Sequence, residues 1–125
     1  MYIGEVAKKT GLSIKAIRLY EERGLIVSPP RKGRYRVYNQ SHIEILSLIK
    51  EAKSLGTTLA QLHGAIIYRN GDVDWAHIEK FLVDIKQQLA IQIQDLNDKI
   101  NKVDECIVAI DSCSISIDST PRGRD

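Results

Sequence analysis

The sequence predicts a mainly α-helical fold: a small N-terminal head of short helices with a two-stranded β wing, then one long C-terminal helix that pairs with a second copy as a coiled coil. Three observations predict it. Short apolar stripes at helical spacing alternate with glycine and proline stops through the first part of the chain. Between them lies a basic, tyrosine-rich run, Arg31-Lys32-Gly33-Arg34-Tyr35-Arg36-Val37-Tyr38, that alternates in strand fashion. From about Asp74, apolar residues recur at steps of three and four, and neither Gly nor Pro interrupts residues 74–113.

The first helix is expected over Ile3–Lys9, with Ile3, Val6 and Ala7 on one face. Thr10-Gly11-Leu12-Ser13 is the turn: Gly11 accepts positive φ, Leu12 plugs the core and Ser13 caps the second helix. That helix runs from about Ile14 to Arg23 and stops at Gly24. Ile14, Ile17 and Leu19 are expected to point inward, and Lys15, Arg18 and Tyr20 to project. Pro29 and Pro30 stiffen the approach to the wing, a small hairpin. Ser41-His42-Ile43-Glu44 reads as a capping box opening a third helix that ends near Leu55-Gly56. Thr58-Leu59-Ala60-Gln61 reads as another, opening a helix through about Tyr68. Asn70-Gly71-Asp72 is a turn signal.

The seam of the long helix is Leu82, Ile85, Leu89, Ile93, Leu96, Ile100, Val103, Ile107 and Ile110. Such a helix extends roughly 57 Å, too far for the head to cover. A second copy of the chain covers it most simply. The chain thus divides into residues 1–70, a winged helix-turn-helix with connecting helices; residues 71–113, the dimerisation helix; and residues 114–125, a loose Ser/Asp-rich tail or effector loop.

Charge separates along the chain. Residues 1–53 carry eleven Lys/Arg against five Asp/Glu, whereas residues 54–125 carry seven against eleven. A basic head and an acidic remainder point to a nucleic-acid partner. No apolar run approaches the ~18 residues that span a bilayer. The first residues lack a signal-peptide layout, so the expected location is the cytoplasm, with no membrane partner. Cys106 and Cys113 stand seven apart on one helix, roughly 10 Å. That exceeds the roughly 7 Å a disulfide tolerates. Histidines 42, 63 and 77 have no evident catalytic partner, and no phosphate loop or nucleophile motif accompanies them. The chain does not read as an enzyme.

The architecture places the second helix in a DNA major groove and the wing on flanking phosphates. Lys15 and Arg18 lie one turn apart, so they face the groove together. Arg18 can pair with guanine in bidentate fashion, and either residue can grip phosphate. Tyr20 offers a hydroxyl to phosphate. Arg31, Arg34 and Arg36 supply charge in the wing, where Tyr35 and Tyr38 lie against sugar–phosphate. Glu21, Glu22 and Arg23 are structural and pair within the head.

These residues carry a resemblance. The pattern Ile3-Gly4-Glu5-Val6-Ala7, Thr10-Gly11-Leu12-Ser13, Ala16-Ile17-Arg18-Leu19-Tyr20-Glu21-Glu22-Arg23-Gly24-Leu25-Ile26 and Tyr35-Arg36-Val37-Tyr38 closely resembles the MerR family of bacterial transcription regulators. The match covers about residues 2–68. It implies a homodimer on a palindromic promoter whose overlong spacer it distorts when an effector binds, realigning the promoter for RNA polymerase, an indirect partner. Lys15 and Arg18 map to recognition-helix contacts, and Tyr35, Arg36 and Tyr38 to wing contacts. Arg34 departs from the glycine or asparagine often found before the family's Tyr-Arg pair.

The resemblance also frames the effector. The family's metal sensors place one cysteine at the end of the dimer helix and another in a loop beyond it. Cys113 matches the first; the second is missing from Ser114-Ile115-Ser116-Ile117-Asp118-Ser119-Thr120. His77 stands near the helix start, where divalent-ion sensors have a cysteine. One helix separates His77 and Cys113 by roughly 54 Å, but antiparallel pairing brings His77 of one subunit toward Cys113 of its mate. Asp118 or Asp111 could add an oxygen ligand. A His/Cys/carboxylate set suits Zn²⁺ or a similar divalent ion better than Cu⁺. Cys106 flanks the seam. Two alternatives remain open: an architectural DNA-bending protein without effector, and a thiol sensor of electrophiles or oxidants through Cys113. An organic effector fits less well, because the family's drug sensors usually carry a larger C-terminal domain.

Overall fold

The structure, a computed structural model, describes the backbone of residues 1–117 and the side chains of residues 1–112. It falls into two compact units, the first Met1–Phe81 and the second from Leu82 onward. In chain order the elements are α1 (Ile3–Thr10), α2 (Ile14–Glu22), β1 (Arg31–Lys32), β2 (Tyr35–Arg36), α3 (Gln40–Ser54), α4 (Leu59–Ala65), β3 (Tyr68–Arg69), β4 (Asp72–Val73) and α5 (Trp75–Ile117).

α1 ends where Gly11 turns left-handed at φ +74°, and its amide returns to the carbonyl of Ala7. Thr10 is buried; its hydroxyl donates to the carbonyl of Val6 and accepts from the amide of Leu12. Ser13 caps α2 by accepting from the amide of Ala16 at 3.0 Å. β1 and β2 pair antiparallel, Arg31 opposite Arg36 and Lys32 opposite Tyr35, which makes the expected wing. The core of the first unit gathers Val6, Ile17, Leu25, Tyr38, Ile45, Leu46, Ile49 and Leu62, drawn from helices and wing alike.

Four local expectations are corrected. α3 is capped by Asn39 rather than Ser41: Asn39 Oδ1 accepts from the amide of His42, and His42 Nδ1 accepts from the amide of Asn39. The reciprocal partner is an imidazole, which the Ser-x-x-Glu pattern does not describe. α4 stops at Ala65 instead of continuing to Tyr68. Tyr68 instead begins a second hairpin, β3 antiparallel to β4, whose turn residues Asn70 and Gly71 both have positive φ. That conformation matches the twist of the flanking strands, so the Asn-Gly signal is a hairpin rather than a plain loop. Finally, α5 continues through residues 114–117, where the sequence suggests the start of a loose tail. Ser-Ile-Ser-Ile contains no breaker, and the hydrogen-bond ladder has no reason to stop there.

α5 opens on Asp74, whose Oδ1 accepts from the amide of His77 at 3.1 Å. Within the second unit, Leu89, Ile93, Leu96, Ile100, Val103, Ile107 and Ile110 are all exposed. Leu82, Leu89, Leu96, Val103 and Ile110 recur every seventh residue, with Ile93, Ile100 and Ile107 between them at the same period. That is the a/d pattern of a two-helix seam.

Candidate nucleic-acid interface

α2 presents two faces. Ile17 and Tyr20 are buried, while Lys15, Arg18 and Glu22 are exposed. The structure therefore corrects Tyr20, which at 7% exposure belongs to the core rather than to a projecting face. It lies three residues beyond Ile17 and shares its side of the helix. Ile14, expected inside, is exposed instead. Leu19 is half-buried.

The wing divides in the same way. Arg31, Lys32, Arg34 and Tyr35 are exposed at or beside its tip. The ring of Tyr35 packs against that of Tyr2, with centroids 5.6 Å apart. Arg36 and Tyr38 turn the other way, and both meet Glu21 of α2. Arg36 Nε donates to Glu21 Oε2 at 2.9 Å, and the Tyr38 hydroxyl donates to Oε1 at 3.3 Å. Tyr38 is 1% exposed, so it cannot lie against a sugar–phosphate chain as expected. Arg36, also expected on phosphate, is half-buried with its guanidinium engaged by a carboxylate. The reading of Glu21 as an internal partner holds. Burial, then the neighbouring Glu21 carboxylate, push the Tyr38 phenol above its usual range, so it remains a donor.

Among the described residues, the ion pairs of the first unit join Lys9 to Glu5, Arg36 to Glu21 and Arg69 to Asp74. None engages Lys15, Arg18, Arg31, Lys32 or Arg34. Five exposed cations without a carboxylate partner can neutralise phosphate. Sequence reasoning misses Lys32 and Tyr2. Lys32 stands inside the same basic run, which is signal enough to find it; nothing local marks Tyr2 as the neighbour of Tyr35.

The histidines at 42 and 77 are occupied structurally. His42 accepts from Asn39 through Nδ1, which leaves Nε2 to donate to the carbonyl of Val27 at 2.9 Å. His77 Nε2 lies 3.2 Å from the carbonyl of Gly64. Asp74 pairs with Arg69 Nε at 2.8 Å, which, with the His77 amide, holds its carboxyl below the usual carboxylate range. Among the described residues no group of three or more His, Cys, Asp or Glu is placed to hold a metal ion. The side chain of Cys113 and all of Asp118 lie outside the described residues, so the expected His77–Cys113 pairing does too. Among the described residues no helix is long and apolar enough to cross a membrane.

Known proteins share this sequence pattern and this fold. The family described as MerR HTH family regulatory protein matches residues 1–68. The chain is 36% identical over 107 residues to the HTH-type transcriptional regulator CueR of Salmonella typhi, spanning 80% of this chain and 76% of that protein. A MerR family transcriptional regulator from Listeria monocytogenes shares its fold with TM-score 0.62 at 20% identity, over 94% of this chain and 90% of the other. So does PbrR691 from Ralstonia metallidurans CH34, solved in complex with Lead(II), with TM-score 0.54 at 18% identity, over 100% and 91%.

Proposed function

This chain belongs to the MerR family of helix-turn-helix regulators, a DNA-binding transcription regulator and not an enzyme, and from that premise we propose that it acts as a cytoplasmic homodimer on a palindromic promoter spacer. The proposed contacts are Lys15 and Arg18 in the groove and Arg31, Lys32, Arg34 and Tyr35 on the flanks. The observation that carries the reading is the split of the cations in α2 and the wing: Arg36 is spent on Glu21, while among the described residues no ion pair engages Lys15, Arg18, Arg31, Lys32 or Arg34, all exposed. Tyr20 and Tyr38 support the contact surface from beneath. Dimerisation rests on the exposed seam of α5. Distortion of the bound spacer realigns it for RNA polymerase.

Arg18→Ala tests the contact set. It should weaken operator binding by about 1–3 kcal/mol if Arg18 reads a base. Unchanged affinity at matched salt would remove it from the interface.

The effector reading is a metal ion held at the ends of the dimer helix. Its support is the thiol of Cys113 near the end of α5 and the Lead(II) complex of the structural neighbour PbrR691. The described residues of one protomer do not form such a site by themselves, and the His77 ring already meets a carbonyl. A metal would have to draw on Cys113 and a second copy. Calorimetric titration of the reduced protein with Zn²⁺ and then Cu⁺, beside Cys113→Ser, decides it. Tight binding lost in the variant supports metal sensing. No heat with either ion leaves an effector-independent DNA-bending regulator or a thiol-modification sensor.

A further inference from the structure

We propose that Ile14 reads the 5-methyl group of a thymine in the major groove. The inference rests on α2 being the groove-reading helix. Ile14 is the first residue of α2 and is 39% exposed, although it is a large aliphatic side chain. Successive helical residues are about 100° apart. Ile14 therefore lies about 40° from Arg18 around the axis, and about 60° and 120° from buried Ile17 and Tyr20. Ile14, Lys15, Arg18 and Glu22 line one shallow depression on this face.

In helix-turn-helix docking the N-terminal residues of the second helix are the ones that meet base edges. The apolar group that base edges offer in the major groove is the thymine methyl. Ile14 is also β-branched, so its side chain is held in few rotamers and presents a fixed apolar surface. Arg18 supplies charge one turn further on, and Ile14 supplies discrimination that charge cannot.

The test uses a duplex selected by the full chain from a random pool. Each thymine is then replaced in turn by deoxyuridine, which deletes the methyl and keeps the base pair. At one symmetric pair of thymines, replacement should weaken binding about fourfold per half-site, the factor that corresponds to ~0.8 kcal/mol per buried carbon group. Ile14→Ala should bind the two duplexes equally, and Ile14→Val should keep the preference. Circular dichroism checks that both variants fold. A thymine series within twofold throughout, or a loss that persists in Ile14→Ala, overturns the proposal. Failure to select any duplex overturns the DNA-binding reading itself, and this proposal with it.

Discussion

Replacing Glu21 should detach the wing from α2. The Glu21 carboxylate accepts from Arg36 Nε at 2.9 Å and from the Tyr38 hydroxyl at 3.3 Å. Its side chain is 11% exposed, and that of Arg36 is 31% exposed. A hydrogen bond to a charged group contributes ~1.5–3 kcal/mol, and a longer neutral-donor bond less. Severing a fully buried pair costs about 3–5 kcal/mol, but Arg36 can turn toward water, so Glu21→Ala should cost about 2–3 kcal/mol. For a head of this size each kcal/mol moves Tm by about 4–8 °C, which gives a fall of roughly 10–20 °C. Circular dichroism at fixed protein concentration measures it, because any self-association makes Tm concentration-dependent. Arg36→Ala and the double variant close a cycle, with an expected coupling of ~1–2 kcal/mol. A coupling below about 0.5 kcal/mol would refute the clamp.

The same contacts set three further outcomes. Burial raises the phenols of Tyr38 and Tyr68 above their ordinary value near 10. A raised folded pKa gives stability that is complete below the unfolded value and is lost as pH climbs through the folded one. Tm should therefore hold up to about pH 10 and then drop, and Tyr38→Phe should lessen the drop. Arg31→Ala should lower the salt slope of DNA binding by about one per contact, whereas Arg36→Ala should lower Tm with little change in slope. Light scattering at micromolar concentration should give a dimer mass; a monomer mass would remove the coiled-coil seam as an interface.

Most of the architecture is legible in the sequence because the signals are local. Ser13 and Thr58 announce their helices by capping chemistry, Gly11 and Gly24 mark two helix ends, and the apolar period announces α5. The features that escape are tertiary. Tyr20 and Tyr38 look like surface tyrosines in a basic context, and only packing against the helices reveals them as core. Ile14 looks like core by its chemistry, yet it begins a helix whose buried face is set by Ile17 and Tyr20. The imidazole cap of α3 escapes because His is not a usual reciprocal partner. Asn70-Gly71 reads as a turn, but its two-residue flanking strands are too short to show alternation.

The second hairpin changes how the start of α5 relates to α2 inside the first unit. The Tyr68 hydroxyl donates to the carbonyl of Leu25, just past the end of α2, at 2.8 Å. The amide of Asp74 donates to the carbonyl of Ile67 at 2.8 Å, and Asp74 then caps the first turn of α5. His77 in that turn reaches Gly64 of α4. The segment between α4 and α5 is thus a hydrogen-bonded bracket that reaches the loop after α2 through Tyr68 and α4 through His77, where the sequence suggests a simple turn. An effector that acts at the dimer helix needs differential contacts in two arrangements, and spatial continuity alone does not establish coupling. Continuity nonetheless supplies one physical route, which a free linker would not. Here a displacement of the first turn of α5 meets Asp74, then the hairpin, then Tyr68, before it meets the carbonyl of Leu25. Tyr68 is the one link in that series whose removal, as Tyr68→Phe, deletes a single hydrogen bond and leaves the ring packed.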